Sequence, residues 1–356
     1  MAPPRFHTLP VASVRRETDD AVSVEFDVPE NLAEAYRFTP GQYLTLRATV
    51  GARDMRRSYS ICSGPGEKLR VAIRRVDGGA FSSWANTSLR SGDRVSVMTP
   101  DGRFGLPPGA KPARTYAAFA AGSGITPILA IMKAVLCNEP ESRVFLFYGN
   151  RTTGSIMFRD EIEDLKDRHL SRLSVFHVLS REQQDVPVLN GHLDADKLHV
   201  LLRAVLPAAS IDHAFVCGPQ PMIEGLGPVL ATLGLQPGQI HVERFTPSAD
   251  GVKRPAVVPP SAPPAAVATV ISEGARTDIP VAAGDTIIDA AIRAGRNLPY
   301  SCKGGMCCTC RAKVLEGQVE MVVNYSLEKW ETDAGYVLTC QARPLTARVV
   351  LDYDAV

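Results

Sequence analysis

The chain has 356 residues, of which 45% are hydrophobic and 22% charged, and its 39 lysines and arginines against 38 aspartates and glutamates leave a net charge of +1. This length predicts two or three domains, and the composition excludes wholesale disorder. The small net charge argues against a protein that coats nucleic acid or lies on anionic lipid.

Residues 1–110 have the pattern of an antiparallel β-barrel. Apolar and polar residues alternate in VSVEFDV, YLTLR, LRVAIRRV and DRVSVM, and Gly, Pro and Asp turns separate these segments. The amino terminus, MAPPRFHTLP, lacks the basic start and apolar run of a signal peptide. We therefore expect a cytoplasmic protein, whose cysteines stay reduced.

The segment Arg-Ser-Tyr-Ser in this region has the side chains that a flavin site needs. Arg57 can pair with a phosphate, the ring of Tyr59 can stack on the flavin, and the hydroxyl of Ser60 can reach the ring nitrogens. Ile73, on the following strand, is a further candidate contact. An arginine beside a core tyrosine is the alternative interpretation of this short motif.

A glycine–serine turn follows about twenty residues later. Gly78, Gly79 and Ser82 can open a turn or helix whose free N–H groups face a diphosphate. Such a turn favours the longer diphosphate of FAD over FMN, although the R-x-Y-S segment serves both cofactors.

Residues 111–245 alternate strand-like and helix-like segments, which predicts a parallel sheet covered by helices. The longest uncharged stretch, residues 115–132, is slightly shorter than the ~20 apolar residues of a membrane helix and contains Gly122, Gly124 and Pro127. We expect it to form a strand, a turn and a helix, and we expect no membrane association.

That same turn is the first candidate nucleotide site. In AAGSGITPIL the glycines Gly122 and Gly124 follow a strand, and Thr126 and Pro127 lie at the first turn of the predicted helix. This arrangement presents backbone amides to a dinucleotide. The segment does not match G-x-G-x-x-G, and glycine-rich strand–helix turns are common.

A second strand-end turn, VCGPQPM, places the thiol of Cys217 beside a tight backbone corner. Gly218 and Met222 complete this candidate nicotinamide contact. A small buried apolar role is the alternative for Cys217.

The choice between NADPH and NADH depends on VLSREQQ. An arginine accommodates the 2′-phosphate of NADPH, whereas an acidic residue commonly binds the ribose 2′-hydroxyl of NADH. Ser180 and Arg181 follow a strand-like run, so we predict NADPH over NADH. Glu182 complicates this prediction, and an ordinary surface turn is the alternative.

Residues 246–266 contain six prolines and five alanines, which predicts a semi-rigid spacer without a core of its own. The tail that follows, residues 267–356, contains five of the eight cysteines. This concentration predicts a separate metal-binding domain.

The tail cysteines have the spacing of a [2Fe–2S] site. Cys302, Cys307 and Cys310 form C-x4-C-x2-C, and Cys340 follows after 29 residues. Four thiolates satisfy two irons, and this spacing is the plant-type arrangement. Cys308 lies off the spacing and is predicted to pack without binding iron.

Two other metal centres fit the sequence less well. Structural zinc sites usually pair two short C-x2-C turns, and only one such turn occurs in this loop. A Rieske centre requires two histidines, and no histidine follows His241.

With YSCKGGMCCTC and VLTCQARP, the tail resembles the plant-type ferredoxin domain over its whole length. The resemblance implies an α+β fold of the β-grasp type and a low-potential one-electron carrier.

The motifs RSYS, GGAFS, GSGITP and CGPQPM, in this order, resemble the ferredoxin–NADP reductase superfamily over residues 5–245. That resemblance implies an FAD-binding barrel and a nucleotide-binding α/β domain. It implies catalytic roles for Tyr59, which would lie against the flavin, for Ser60 near its reactive edge, and for Cys217 beside the nicotinamide.

The complete chain is similar to reductase components of multicomponent oxygenases. The similarity implies that electrons pass from NADPH through FAD and the cluster to a partner, for which we predict the di-iron oxygenase of an epoxidase. Reductases of a steroid hydroxylase or a Rieske dioxygenase are the alternatives. An iron–sulfur redox sensor would need an output domain, and a complete di-iron oxygenase would need Glu-x-x-His pairs, which the sequence lacks.

Overall fold

A computed structural model describes residues 5–106, 113–245 and 264–355. The chain divides into two units: a larger one that contains residues 6–55 and 59–245, and a smaller one that contains the tail together with residues 56–58. The larger unit holds two sheets, one antiparallel and one parallel.

The antiparallel sheet is formed by alternating segments whose apolar side chains face one shared core. Its six strands are β1 (Phe6–Thr18), β2 (Ala21–Phe26), β3 (Tyr43–Val50), β4 (Arg53–Ser60), β5 (Arg70–Arg74) and β6 (Arg94–Met98). Their order is β4-β3-β6-β1-β2-β5, and the helix α1 (Ala80–Thr87) lies between β5 and β6 in the chain. This half-barrel confirms the antiparallel first domain.

The parallel sheet follows in the chain and is covered on both faces. Its strands are β7 (Thr115–Ala121), β8 (Arg143–Asn150), β9 (Leu173–Leu179), β10 (His213–Cys217) and β11 (Ile240–Glu243), and its helices are α2 (Ile125–Asn138), α3 (Arg159–Arg168), α4 (Ala195–Val205) and α5 (Gln220–Thr232). The strand order β11-β10-β7-β8-β9 is parallel throughout. Separate buried clusters pack on the two faces of the sheet, which confirms the predicted α/β layering.

The uncharged stretch at residues 115–132 forms β7, a short turn and the start of α2, as predicted. Among the residues that the structure describes, no helix combines the length and apolarity needed to cross a bilayer.

The tail forms a mixed five-stranded sheet that packs around a helix. Its elements are β12 (Pro264–Ser272), β13 (Ala275–Ala282), α6 (Ile287–Arg293), β14 (Arg311–Glu316), β15 (Val319–Met321), α7 (Lys329–Asp333), β16 (Tyr336–Leu338), β17 (Ala342–Pro344) and β18 (Arg348–Asp352). The sheet order is β13-β12-β18-β14-β16, and β12 and β18 are its one parallel pair. The hydroxyl of Thr286 caps α6 by accepting from the backbone N–H of Asp289 at 3.2 Å.

The spacer predicted at residues 246–266 falls mostly outside the described residues, at 246–263. Its last three residues belong to β12, where Pro264 is in register with Ala282. The first strand of the tail therefore begins three residues before position 267.

Candidate functional site

The carboxyl ends of the five parallel strands bring the nucleotide motifs to one edge, the usual location of ligands in open α/β sheets. The turns after β7 and β10 are in direct contact there. A Cβ added to Gly124 would lie only 2.1 Å from the carbonyl oxygen of Cys217. A Cβ on Gly218 would lie 3.1 Å from the Cβ of Ala121 and 2.6 Å from the Cε of Met222. Only glycine fits between these two turns.

The other candidates in the first turn shape its backbone. Gly122 has a φ of +53°, a left-handed conformation that favours glycine. Thr126 and Pro127 are buried, and the hydroxyl of Thr126 donates to the carbonyl oxygen of Ser123 at 3.0 Å. The hydrogen bond of Thr126 thus links the start of α2 to the turn that precedes it.

The two flavin motifs are neighbours in space. The half-buried ring of Tyr59, on β4, lies 5.9 Å from the ring of Phe81, on α1. Arg57 is exposed, and its guanidinium donates to the carbonyl oxygen of Arg56 at 2.7 Å. The structure therefore brings Tyr59 of R-x-Y-S next to the helix that the glycine–serine turn opens.

The glycine–serine turn is closed by its own serine. The hydroxyl of Ser82 accepts from the N–H of Val76 at 3.0 Å and donates to the carbonyl oxygen of Gly79 at 3.1 Å. A Cβ on Gly79 would lie 2.7 Å from that hydroxyl oxygen and 3.0 Å from the carbonyl oxygen of Val76, so a larger residue would disturb the hydrogen bonds of Ser82. Ile73 is fully buried in the barrel core, and its carbonyl oxygen accepts from the amide of Asn86.

Sequence reasoning missed Glu243, which ends β11. The hydroxyl of Ser60 donates to the Oε2 of Glu243 at 3.2 Å, and Glu243 is in register with Cys217. Burial raises the pKa of the Glu243 carboxyl group to about 8, against the opposing effect of the Ser60 hydrogen bond. The signal available in the sequence was an acidic residue at the end of the strand-like run IHVE.

Cys217 is fully buried at the same edge. Burial raises the pKa of its thiol well above the usual value, so the sulfur stays protonated at neutral pH. Such a thiol packs and donates a weak hydrogen bond but does not act as a nucleophile.

The turn after β9 carries the residues predicted to distinguish the two nucleotides. The backbone N–H groups of Ser180 and Arg181 donate to the carbonyl oxygens of Asn150 and Arg151, and the side chain of Arg181 is exposed. The carboxylate of Glu182 accepts from the backbone N–H and the hydroxyl of Thr153, at 2.7 and 2.6 Å. The acidic group that complicated the prediction is therefore bound to another protein group.

The cysteines of the predicted cluster site lie as two pairs. A hydrogen bond with the Cys307 thiol lowers the pKa of Cys302 to about 6, and one with the Cys310 thiol lowers the pKa of Cys340. No three His, Cys, Asp or Glu side chains within the described ranges surround a single metal position. Two thiols per iron is the arrangement that a [2Fe–2S] cluster requires, so the two pairs fit that cluster.

The surrounding loop supplies backbone donors to the sulfurs. The N–H of Gly304 donates to the sulfur of Cys302 at 3.3 Å, and the N–H of Cys302 donates to the sulfur of Cys307 at 3.5 Å. The neighbouring Cys308, with a φ of +53°, packs against the tail core. The loop therefore offers backbone N–H donors, which stabilise the negative charge of an iron–sulfur cluster.

Three family models match consecutive parts of the chain. The Oxidoreductase FAD-binding domain matches residues 8–105, the Oxidoreductase NAD-binding domain residues 119–227, and the 2Fe-2S iron-sulfur cluster binding domain residues 270–345. These matches confirm the predicted flavin, nicotinamide and iron–sulfur cofactors.

Two similar proteins extend over nearly the full length. The chain is 47% identical to a 1,2-phenylacetyl-CoA epoxidase subunit of Escherichia coli (strain K12), over 98% of each chain. It is 33% identical to "3-ketosteroid-9-alpha-monooxygenase, ferredoxin reductase component" of Rhodococcus rhodochrous, over 97% of this chain and 96% of that protein.

The solved structure of phthalate dioxygenase reductase has the same fold. The TM-score is 0.61 at 23% identity, and the match covers 98% of both chains. This confirms the three-part architecture.

Proposed function

Because the chain belongs to the family of ferredoxin-fused flavoprotein reductases that contains the matched 1,2-phenylacetyl-CoA epoxidase protein, we propose that it passes electrons from NADPH to the di-iron oxygenase of a phenylacetyl-CoA epoxidase. Identity of 47% over 98% of both chains is the observation that carries this proposal. The route would serve the catabolism of phenylacetate, and we place it in the cytoplasm, where the cysteines of the tail stay reduced.

The chemistry that the cofactors supply when bound is the conversion of a two-electron hydride donor into single electrons. The chain holds the cofactors in three places. Arg57 and Tyr59 would hold the flavin, together with the turn at Gly79. The contacting turns at residues 122–124 and 217–218 would hold the nucleotide, and the four paired cysteines would hold the cluster.

The pair formed by Ser60 and Glu243 is the proton-handling group of this site. Glu243 lies where the flavin motif of β4 and the carboxyl edge of the parallel sheet meet, at 3.2 Å from the hydroxyl of Ser60. With a pKa of about 8 its carboxyl group is protonated at neutral pH, so it can hold a proton and exchange it at the Ser60 hydroxyl oxygen. Cys217, whose thiol is protonated, lies in register with Glu243 on the neighbouring strand and packs beside this pair.

A steroid-hydroxylase reductase is the second candidate function. The observation that favours it is the 33% identity, over nearly the full length, to a 3-ketosteroid-9-alpha-monooxygenase reductase component. Only the oxygenase that accepts the electrons distinguishes the two functions, because both use the same cofactors.

The test compares acceptors directly. The purified protein should show flavin and iron–sulfur absorption, and NADPH should bleach both. It should then support substrate turnover by the oxygenase component of a phenylacetyl-CoA epoxidase, and not by that of a 3-ketosteroid monooxygenase. Turnover with the second oxygenase alone would replace the first proposal by the second.

A further inference from the structure

A chain of alternating charges joins the flavin barrel to the nucleotide domain, away from the site described above. Arg70, on β5, donates to both carboxylate oxygens of Glu161, on α3, at 2.7 and 2.9 Å. Glu161 also forms an ion pair with Lys133, on α2. Lys133 reaches back to the barrel and donates to the carboxylate of Glu67 at 2.6 Å. Each domain thus contributes one cation and one anion.

The two cations are almost inaccessible to water. The side chains of Arg70 and Lys133 are 9% and 7% exposed. Burial by itself raises the pKa of Glu161, but the hydrogen bonds from Arg70 and Lys133 hold it below its usual value. Glu17 faces the same group from β1, and burial raises the pKa of its carboxyl group. Because buried charges are stable only when paired, the two buried cations keep the carboxylates of Glu161 and Glu67 beside them.

The backbone fits the same contact. Residues 64–67 form a turn in which the N–H of Gly64 donates to the carboxylate of Glu67 at 2.9 Å. A Cβ on Gly64 would lie 2.8 Å from the Cβ of Lys133 and 2.9 Å from its Cδ. The turn therefore packs directly on the stem of Lys133, and α2 has no room to move closer to the barrel.

The helix α2 connects this contact to the nucleotide turn. It begins at Ile125, directly after the turn at residues 122–124, and Lys133 lies eight residues further, about 12 Å along the helix. At the turn itself, a Cβ on Gly122 would lie 2.7 Å from the Nη1 of Arg74, which is on the same strand as Arg70. The turn before α2 therefore lies against β5, and Lys133 lies against the turn at residues 64–67, which precedes β5 in the chain.

We propose that Arg70, Glu67, Lys133 and Glu161 form a positioning joint, which fixes α2 on the barrel and so holds the nucleotide turn at reacting distance from the flavin site. Hydride transfer depends steeply on this distance, since a displacement of about 1 Å can cost roughly 100-fold in rate. The four residues act through the helix, and none of them is among the candidate cofactor-binding residues. The joint deepens the proposed reductase function and rests on it.

The test measures the rate of flavin bleaching by saturating NADPH, per bound FAD, in the full-length protein by stopped flow. Glu161→Gln removes the shared carboxylate charge. Gly64→Ala keeps every charge but inserts a methyl group against Lys133. We expect each variant to bleach roughly tenfold more slowly, with its Kd for NADP+ within about twofold of the wild-type value. The exposed pair of Arg159 and Glu163 on α3 provides the control, Glu163→Gln, which should change neither quantity.

The outcomes separate the joint from the function. If the four residues had only a structural role, their variants would lose FAD or thermal stability but would bleach at an unchanged rate per bound FAD. An unchanged bleaching rate per bound FAD in Gly64→Ala therefore overturns the joint. If Glu161→Gln does not fold, Gly64→Ala decides the question by itself. A wild-type protein that binds FAD but is bleached by neither NADPH nor NADH overturns the proposed function, and the joint with it.

Discussion

Five cysteines of the tail look alike in the sequence, and their surroundings separate them. Cys302 and Cys307 form one hydrogen-bonded pair, Cys310 and Cys340 form another, and Cys308 lies between two of these positions with a left-handed backbone. The pairs match two irons with two thiolates each. Spacing alone predicts these four ligands, because they lie on one short loop and one later turn.

Serine in place of any of the four paired cysteines should abolish or cripple the cluster, because an iron then loses a thiolate ligand. Cys308→Ser is the matched control and should keep it. Iron content and visible absorption of the purified variants measure the outcome. Loss of the cluster from Cys308→Ser would contradict the ligand assignment.

Glu243 gives a prediction about pH. Its acid form is fully populated well below pH 8 and is lost as the pH rises through about 8. If this group exchanges the proton at Ser60, the turnover number with NADPH and ferricyanide should fall along a limb near pH 8. Glu243→Gln cannot ionise, so its turnover should be lower and this limb absent. An unchanged limb in the variant would show that another group titrates.

Local patterns predicted the elements because the spacing of apolar residues and the positions of glycine and proline are properties of short segments. The stretch at residues 115–132 formed a strand, a turn and a helix, since its glycines and proline allow no continuous helix. The contact between Ser60 and Glu243 spans 183 residues, and that between Arg70 and Glu161 spans 91. Such contacts depend on how whole elements pack, and no local pattern encodes them.

The turn after β9 carries the prediction on nucleotide choice. Arg181 is exposed, and Glu182 is bound to Thr153, so the arginine is the charge we expect at the 2′-phosphate. Arg181→Ala should raise the KM for NADPH about tenfold, the loss of one charged hydrogen bond of about 1.5 kcal/mol, and leave that for NADH nearly unchanged. Arg168→Ala, at the end of α3, is the surface control. An equal rise in the KM for NADPH and for NADH would count against the assignment of Arg181 to the 2′-phosphate.

At the scale of the whole molecule, the larger unit should work without the tail. Cutting near Asp250, which lies outside the described residues, should leave a flavoprotein that still oxidises NADPH with ferricyanide. It should fail to reduce protein acceptors that take electrons one at a time from the cluster. A truncated protein that cannot retain flavin would show that the boundary at residue 245 is misplaced.

The tail and the rest of the chain have net charges of opposite sign. Residues 267–356 carry nine basic and eleven acidic side chains, and the remainder carries 30 and 27. The four ligated thiolates on a diferric cluster would add about −2 to the tail. Contacts of such a domain are partly electrostatic and weaken with salt.

Electron delivery to the epoxidase should therefore slow as ionic strength rises, while turnover with NADPH and ferricyanide changes much less. Coupled assays at low and moderate salt compare the two rates on one preparation. Parallel salt curves would refute the electrostatic contribution, and no transfer at any salt concentration would refute the partner.

The strand order of the tail also bears on its biosynthesis. The ribosome makes β18 after every other strand of the sheet, yet β18 occupies the centre, between β12 and β14. Until it emerges, these two neighbours lack the strand that joins them, and Cys340 has only just been synthesised. Long-range pairing of this kind closes late and slowly. Assembly of the cluster is thus expected after translation of the tail, on a chain that until then exposes unpaired strand edges and reactive thiols to the cell.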